Sequence, residues 1–572
     1  EKEFNEIRNK INLTDYEFIY TSRSQTDFTD VDIYNRIVGD IEACKYADPE
    51  DEESIVIGNR LDILEVWKHI SVVFIDALRD VESELRKPKN PIRRIVDSIQ
   101  SEISDSDIDE IKKKIQDLNN TISDVGQISD IGDQINSKLN EIIGLVYSPD
   151  ITLESQMKDD ISLLSKFLAM TPSDKQDLSL LGLGHLNILF IALKLVEFEF
   201  NKSRELINLM IIEEPEAHIH THIQKTLFDN LQVSKDYTQV IMSTHSTYLS
   251  EVADITQVNV LKSKDKVSLV MQPSYGLDEF GNENLNLKDV SLTKCLERYL
   301  DAKRSVLLFS KGVILVEGDG EEILIPSLIK KTLGVSLDEL GIGLINIGSV
   351  AFENVACIFD ISRLQRYCAI ITDMDQQLLG ASKYSVEAGR RGKSRKEKLN
   401  RLFGSNPYVD MFYAPYTLEV DFANEEKNRI YIKNIIDYHY KDEKTKLKHK
   451  SNLNATDCER YDSVLTLATG MGKGWYATVL SEYIDSAAII PDYILSAIAF
   501  ASREIISTSL SLKMVLYSLN QYDKEDKEIN NLLNQYNEIV TVEEKEIFIK
   551  EFCTQLPDDE VTKYLIKVEK YV

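Results

Sequence analysis

Apolar residues return along this chain in two rhythms. Between 91 and 170 they recur at helical spacing, as in Ile108, Ile111, Ile115, Leu118 and Ile122, with Ser- and Asp-rich breaks. That pattern predicts several capped helices rather than one long coiled coil. From 178 to 262, and again from 311 to 425, short unbroken apolar runs alternate with longer amphipathic ones. Asn208–Ile212, Gln239–Ser243, Val313–Val316, Leu344–Ile347 and Tyr367–Thr372 read as strands buried on both faces, the style of a parallel sheet. Glu321–Leu333 and Val350–Leu364 read as intervening helices, and Met411–Ala414 as a further strand. Two separate α/β units follow. Phe18–Tyr20 and Ile55–Ile57 are strand-like, the apolar stretch Ser71–Leu78 looks like a core segment, and residues 426–572 read as mostly helical.

Composition narrows the picture. The chain has 572 residues, 43% hydrophobic and 28% charged, which is globular and rules out global disorder. No apolar run approaches the ~18 residues that span a bilayer. Six scattered cysteines without a CxxC pair argue against a disulfide scaffold or thiolate zinc site, and for a cytoplasmic, reducing setting. A net charge of −29 argues against coating nucleic acid with the whole surface. One segment runs the other way. Residues 383–401 hold eight Lys or Arg (383, 390, 391, 393, 395, 396, 398 and 401) against two Glu. They are expected to grip DNA phosphates, the alternative being a solvated loop.

Two constellations carry chemistry. In the first, the strand Asn208–Ile212 ends in Glu213-Glu214, at the carboxyl edge where α/β proteins bind ligands. Glu213 is suited to hold Mg²⁺ and Glu214 to orient a water for phosphoryl transfer. A second strand ends in Ser243-Thr-His245, and Gly182-Leu-Gly184-His-Leu-Asn187 is a Gly turn running into an apolar helix, a phosphate-friendly helix start. The pattern G-x-x-x-x-G-K-[ST] occurs nowhere, and Gly470–Trp475 has the wrong spacing. His218, His220 and His222 sit just after the acidic strand and are assigned to its loop rather than to a metal.

The second constellation is denser. Val313–Val316 delivers Glu317 into a Gly318-Asp-Gly320 turn, and Glu321 opens the next helix. Tyr367–Thr372 delivers Asp373-Met-Asp375, with alternation predicting both Asp side chains on one side. Glu419 and Asp421 follow the strand Met411–Ala414. Acids converging at strand ends are costly without cations, so two Mg²⁺ or Mn²⁺ ions ~4 Å apart are inferred, activating water for phosphodiester cleavage.

The order Gly turn, acidic strand and His strand resembles the second half of an ABC-type ATPase of the SMC/RecF kind. That likeness makes Gly182, Gly184 and Asn187 the signature motif, Glu213-Glu214 the Walker B acids, with Glu in place of the usual Asp, and His245 the switch histidine. Glu317 with Asp373-x-Asp375 resembles the Toprim domain. Together they resemble the OLD (overcoming lysogenization defect) family, including Gabija-type nuclease subunits. This resemblance implies an α/β chain: an ATPase domain whose P-loop lies upstream of Glu1, a helical insert, a Rossmann-like Toprim domain and a helical C-terminal region. The expected divisions are 1–90, 91–170, 171–305, 306–425 and 426–572. It further implies a metal-dependent DNA endonuclease or nickase regulated by ATP with Mg²⁺, a homodimer or larger homo-oligomer, a helicase-like or other defence partner, and a role against phage. Its metal ligands would be Glu317, Glu321, Asp373, Asp375 and Glu419. The segment Gly472-Lys473-Gly-Trp would supply a catalytic lysine, Lys473. The rival expectation is a RecF/SMC-like DNA-binding ATPase with a non-catalytic Toprim platform, and a weaker one is an RNA-directed nuclease.

Overall fold

A computed structural model describes residues 69–77, 104–126, 181–202, 207–231 and 238–248, nearly all of 254–571, and isolated short pieces of the first 140 residues. Phe18–Tyr20 and Ile55–Ile57 lie outside the described residues, as does most of 127–180. The chain divides into two compact units, residues 1–223 with 230–244, and 224–229 with 245–572.

The first unit holds a three-stranded parallel sheet of β1 (Ile70–Ile75), β2 (Ile207–Glu213) and β3 (Thr238–Ser243), with β2 in the centre. Register pairs Ile75 with Ile212 and Glu213 with Ser243, so strand ends align at one edge. Val73, Ile75, Met210 and Ile212 are buried, whereas Val72 and Phe74 are 44% and 45% exposed. Period-two alternation therefore splits β1 into a core face and an open face. Helix α1 (Asp105–Ser123) is capped by the Ser104 side chain on the Asp107 amide, and none of its residues is buried. Helix α2 (Leu183–Lys202) is apolar enough to bury Leu186, Phe190 and Ile191.

In the second unit an exposed hairpin, β4 (Val260–Lys264) and β5 (Val267–Met271), precedes a four-stranded parallel sheet. Its strands are β6 (Gly312–Val316), β7 (Ile342–Asn346), β8 (Cys368–Asp373) and β9 (Val409–Ala414), in the order β7-β6-β8-β9. All of β6 and β8 is buried. Alternate residues feed two different cores: Ile314, Val316, Ala369 and Ile371 face one, and Val313, Leu315, Cys368 and Ile370 the other. Helices cover both faces, as unbroken apolar strands require. They include α3 (Asp319–Leu333), α4 (Lys383–Phe403), α5 (Leu418–Asn424), α6 (Asp457–Met471), α7 (Lys473–Tyr483) and α8 (Asp492–Ser502). Helix α8 lies so near β6 that a Cβ on Gly312 would sit 2.1 Å from the Ala501 carbonyl oxygen. Among the described residues no helix is long and apolar enough to cross a membrane.

Two local expectations change. Val350–Leu364 is helical only at Glu353–Ala356. Beyond it the Asp360 carboxylate accepts the Ser362 amide at 2.9 Å, a side-chain turn that competes with helix. The basic segment is no loop: it is helix α4, anchored by buried Leu399 and Phe403. Glu419 and Asp421 follow β9, as expected, and open helix α5.

Candidate active site

The carboxyl edge of the second sheet gathers the predicted acids. β6 and β8 are neighbours with Leu315 opposite Ile370, so Glu317 emerges opposite Thr372 and next to Asp373. Glu317 accepts the Thr372 hydroxyl, the Asp373 amide at 3.2 Å and an ion pair from Arg395 at 3.4 Å. Glu321 lies in the first turn of α3, whose start carries Asp319, Glu321 and Glu322, as a helix N-terminus favours. Asn346, at the end of β7, donates to Asp319 and Glu322 at 2.9 and 2.8 Å, tying that turn to the sheet. Glu419 is 3% exposed at the start of α5. Its Oε2 is sealed from solvent without a hydrogen-bond partner, and the Lys473 ammonium stands 3.5 Å away. Lys473 opens α7 directly after Gly472, whose φ of 85° is a conformation open to glycine.

Burial dominates the electrostatics here. It pushes the Glu321 carboxyl up to about 7, with repulsion from Glu419 and Glu317 adding to it and Lys473 opposing. Asp373 is raised well above the carboxylate range by burial, then by Glu321 and Glu317. Burial would lower the Lys473 ammonium, but Glu419, Asp373 and Glu321 hold it above its ordinary value. Four of the predicted acids, Glu317, Glu321, Asp373 and Glu419, therefore lie with Lys473 at one sheet edge. Among the described residues, no three His, Cys, Asp or Glu side chains close into a metal cage as they stand. The donor chemistry fits a hard cation: buried carboxylates that raise one another, and an orphaned Glu419 oxygen.

Two placements correct the sequence reading. β8 ends at Asp373 and Asp375 has a φ of 47°, so strand alternation does not govern where the Asp375 side chain goes. Asp421 turns from the centre to accept the Tyr416 amide at 3.1 Å, anchoring the start of α5, and burial pushes its carboxyl up to about 7. The basic run is also divided. Arg395 points inward to Glu317 and also donates to the Asp373 carbonyl. Lys398 pairs with Glu353 at 2.6 Å, and Lys396 lies over the Tyr413 ring. Arg390 and Lys393 face a cleft of about 640 Å³, also lined by Met374, Gln376, Val386 and Gly389. Sequence reasoning missed Thr372, Asn346 and the inward turn of Arg395. The one available signal was Gly392, which packs where a Cβ would meet the Met374 carbonyl at 2.2 Å.

In the first unit, Glu213 ends β2 and its Oε2 accepts the Ala77 amide at 3.4 Å. Glu214 has a φ of 41°, and its amide donates to the Ser243 carbonyl at 2.9 Å. His245 lies two residues past β3. Gly182 precedes α2 with open space around it, whereas Gly184 and Asn187 pack on the turn after β2. A Cβ on Gly184 would sit 2.5 Å from the His218 carbonyl oxygen, and the Asn187 amide donates to the Ala217 carbonyl at 2.6 Å. His220 and His222 stand 6.5 Å apart, ring edge to ring face.

A parallel sheet bearing strand-end acids in each unit defines an ATPase-plus-Toprim architecture. Residues 5–249 match the AAA ATPase domain model, and residues 308–375 the TOPRIM domain of overcoming lysogenization defect protein-like proteins. The two domain models match in this order, an ATPase domain followed by an OLD-like TOPRIM domain. The chain is 25% identical over 309 residues to the Old nuclease of Escherichia phage P2, covering 51% of this chain and 50% of that protein. It is 30% identical over 174 residues to the OLD nuclease of Thermus scotoductus (30% and 31% covered). It is 25% identical over 258 residues to the endonuclease GajA of Bacillus cereus (41% and 36%). The matches thus span half or less of these relatives. The C-terminal region of the Burkholderia pseudomallei OLD protein aligns over 35% of this chain and all of that one, at 22% identity and a TM-score of 0.28.

Proposed function

We propose that this chain is a metal-dependent DNA endonuclease or nickase whose cutting centre lies at the carboxyl edge of the second sheet and is regulated by an ATPase domain. The observation that supports it is the meeting of Glu317, Glu321, Asp373 and Glu419 with Lys473, where burial makes uncompensated negative charge costly. The relatives are named nucleases or endonucleases, which agrees with it. Glu317, Glu321, Asp373, Asp375 and Glu419 would hold two Mg²⁺ or Mn²⁺ ions. Bound there, such ions supply an activated water and Lewis-acid charge on the phosphate. The chain contributes the rest. Thr372 and the Asp373 amide fix the Glu317 carboxylate, and Lys473 sets its ammonium against charge gathering on the phosphate. Arg390 and Lys393 meet flanking phosphates along the cleft. In the first unit Glu213, Glu214, His245 and the Gly182 turn would serve ATP with Mg²⁺. Phage defence, a homo-oligomeric assembly and a helicase-like partner belong to the same proposal.

The test is nicking of supercoiled plasmid with Mg²⁺ or Mn²⁺ by wild type and Asp373→Ala purified side by side. Cleavage confined to wild type and abolished by chelator supports the reading. Equal cleavage by both refutes it.

A further inference from the structure

Arg395 arrives at the cutting centre from α4, the helix whose neighbouring residues face the cleft. It is largely buried, its side chain 13% exposed, and a single nitrogen, Nη2, serves both Glu317 Oε1 and the Asp373 carbonyl. The Nε–H of the same guanidinium is sealed from solvent without a partner. Arginine–carboxylate pairs are frequently two-pronged. Here one prong is used, at 3.4 Å, and a buried donor goes unsatisfied, which costs stability. The contact is therefore a weak hold on a strong charge. It sits on Glu317, which takes up the Thr372 hydroxyl and Asp373 amide on the same oxygen.

We infer that Arg395 is a placeholder cation: its guanidinium occupies the charge position of a divalent ion beside Glu317 and is displaced when the ion binds. This inference rests on the metal-dependent reading of the centre. Because Arg395 is one helical turn beyond Gly392, at the point where α4 touches the Met374 carbonyl, its withdrawal couples ion loading to the helix that lines the cleft. Arg395 is a positioning residue that acts through Glu317 and competes with the cation.

The test is calorimetric titration of the full chain with Mn²⁺, with melting temperatures in chelator and in saturating Mn²⁺. Removing a competing charge should tighten ion binding. Arg395→Gln is expected to bind Mn²⁺ about three- to tenfold more tightly, the equivalent of one partly buried ion pair. It should melt lower than wild type in chelator and gain more on Mn²⁺ addition, and Arg395→Lys should fall between the two. A merely structural arginine would lower both melting temperatures and leave affinity equal or weaker, and that result overturns the inference. Glu317→Gln and Asp373→Asn separate this failure from that of the parent reading. If both titrate like wild type, no ion binds at this centre and the nuclease reading falls. If both lose binding while Arg395→Gln matches wild type, only the placeholder role falls.

Discussion

The sheet of the first unit delivers Glu213 and Glu214 to its carboxyl edge, and the sheet of the second delivers Glu317 and Asp373 to its own. The surroundings differ. Glu213 finds a backbone amide, from Ala77, and Glu214 is bent out of the strand by its positive φ. Glu317 and Asp373 instead face Glu321, and Glu321 faces Glu419, in a setting dry enough to push acids upward. A strand-end carboxylate is thus not by itself a cation site. Crowding and desolvation make the demand for positive charge, and the second edge meets it in part with Lys473 and Arg395.

The largest expected contrast is catalytic. Asp373→Ala or Lys473→Ala should lower plasmid nicking by about a thousandfold or more, whereas Glu214→Gln should leave metal-dependent nicking measured without ATP within about twofold of wild type. Comparable losses from Glu214→Gln would show that the two edges work as one centre. Packing provides the next contrast. Ile314→Ala removes a fully buried side chain and should cost about 3 kcal/mol in urea unfolding of the second unit, while Val72→Ala on the half-exposed face of β1 should stay within about 0.5 kcal/mol.

A third test uses pH. Glu321 has a folded value of about 7 against an ordinary 4.5, so the folded chain binds more protons than the unfolded one between those values. Its contribution to stability is present below about pH 4.5 and is lost as pH rises through about 7. Melting temperature in chelator should therefore fall from pH 5 to pH 8, and Mg²⁺ should reverse the fall. A flat profile in chelator would mean that the acids of the second edge are no more crowded than those of the first. The smallest effect concerns the cleft. Arg390→Gln with Lys393→Gln should reduce the salt slope of DNA binding by nearly two units, and an unchanged slope would leave the cleft outside the DNA path.

Much of the second centre was legible because buried parallel strands announce themselves as unbroken apolar runs, and the acid that follows each run is fixed by register. Glu317 and Asp373 were readable on that ground, and Lys473 only through family likeness. The misreadings share a cause. Asp375 and Asp421 depend on backbone conformation beyond the strand end, where a positive φ or a helix start replaces alternation. Arg395 was counted with its basic neighbours because composition registers the charge of a helix but not which of its faces is turned inward. Thr372, an ordinary strand residue in sequence, acquires its role only when β8 lies beside β6.

The pairing of β6 with β8 has a consequence for how this centre can vary. Hydrogen-bond register moves in whole residues, and one step reverses every side chain's face. The spacing between Glu317 and Asp373 is accordingly quantised. It cannot be tuned by fractions of an ångström through slippage of the strands, and any step exchanges the residues supplied to the two cores. Gradual change in this protein's chemistry is thereby channelled into the segments that follow the strands, which can lengthen, turn or recruit new side chains while the two central acids keep their places.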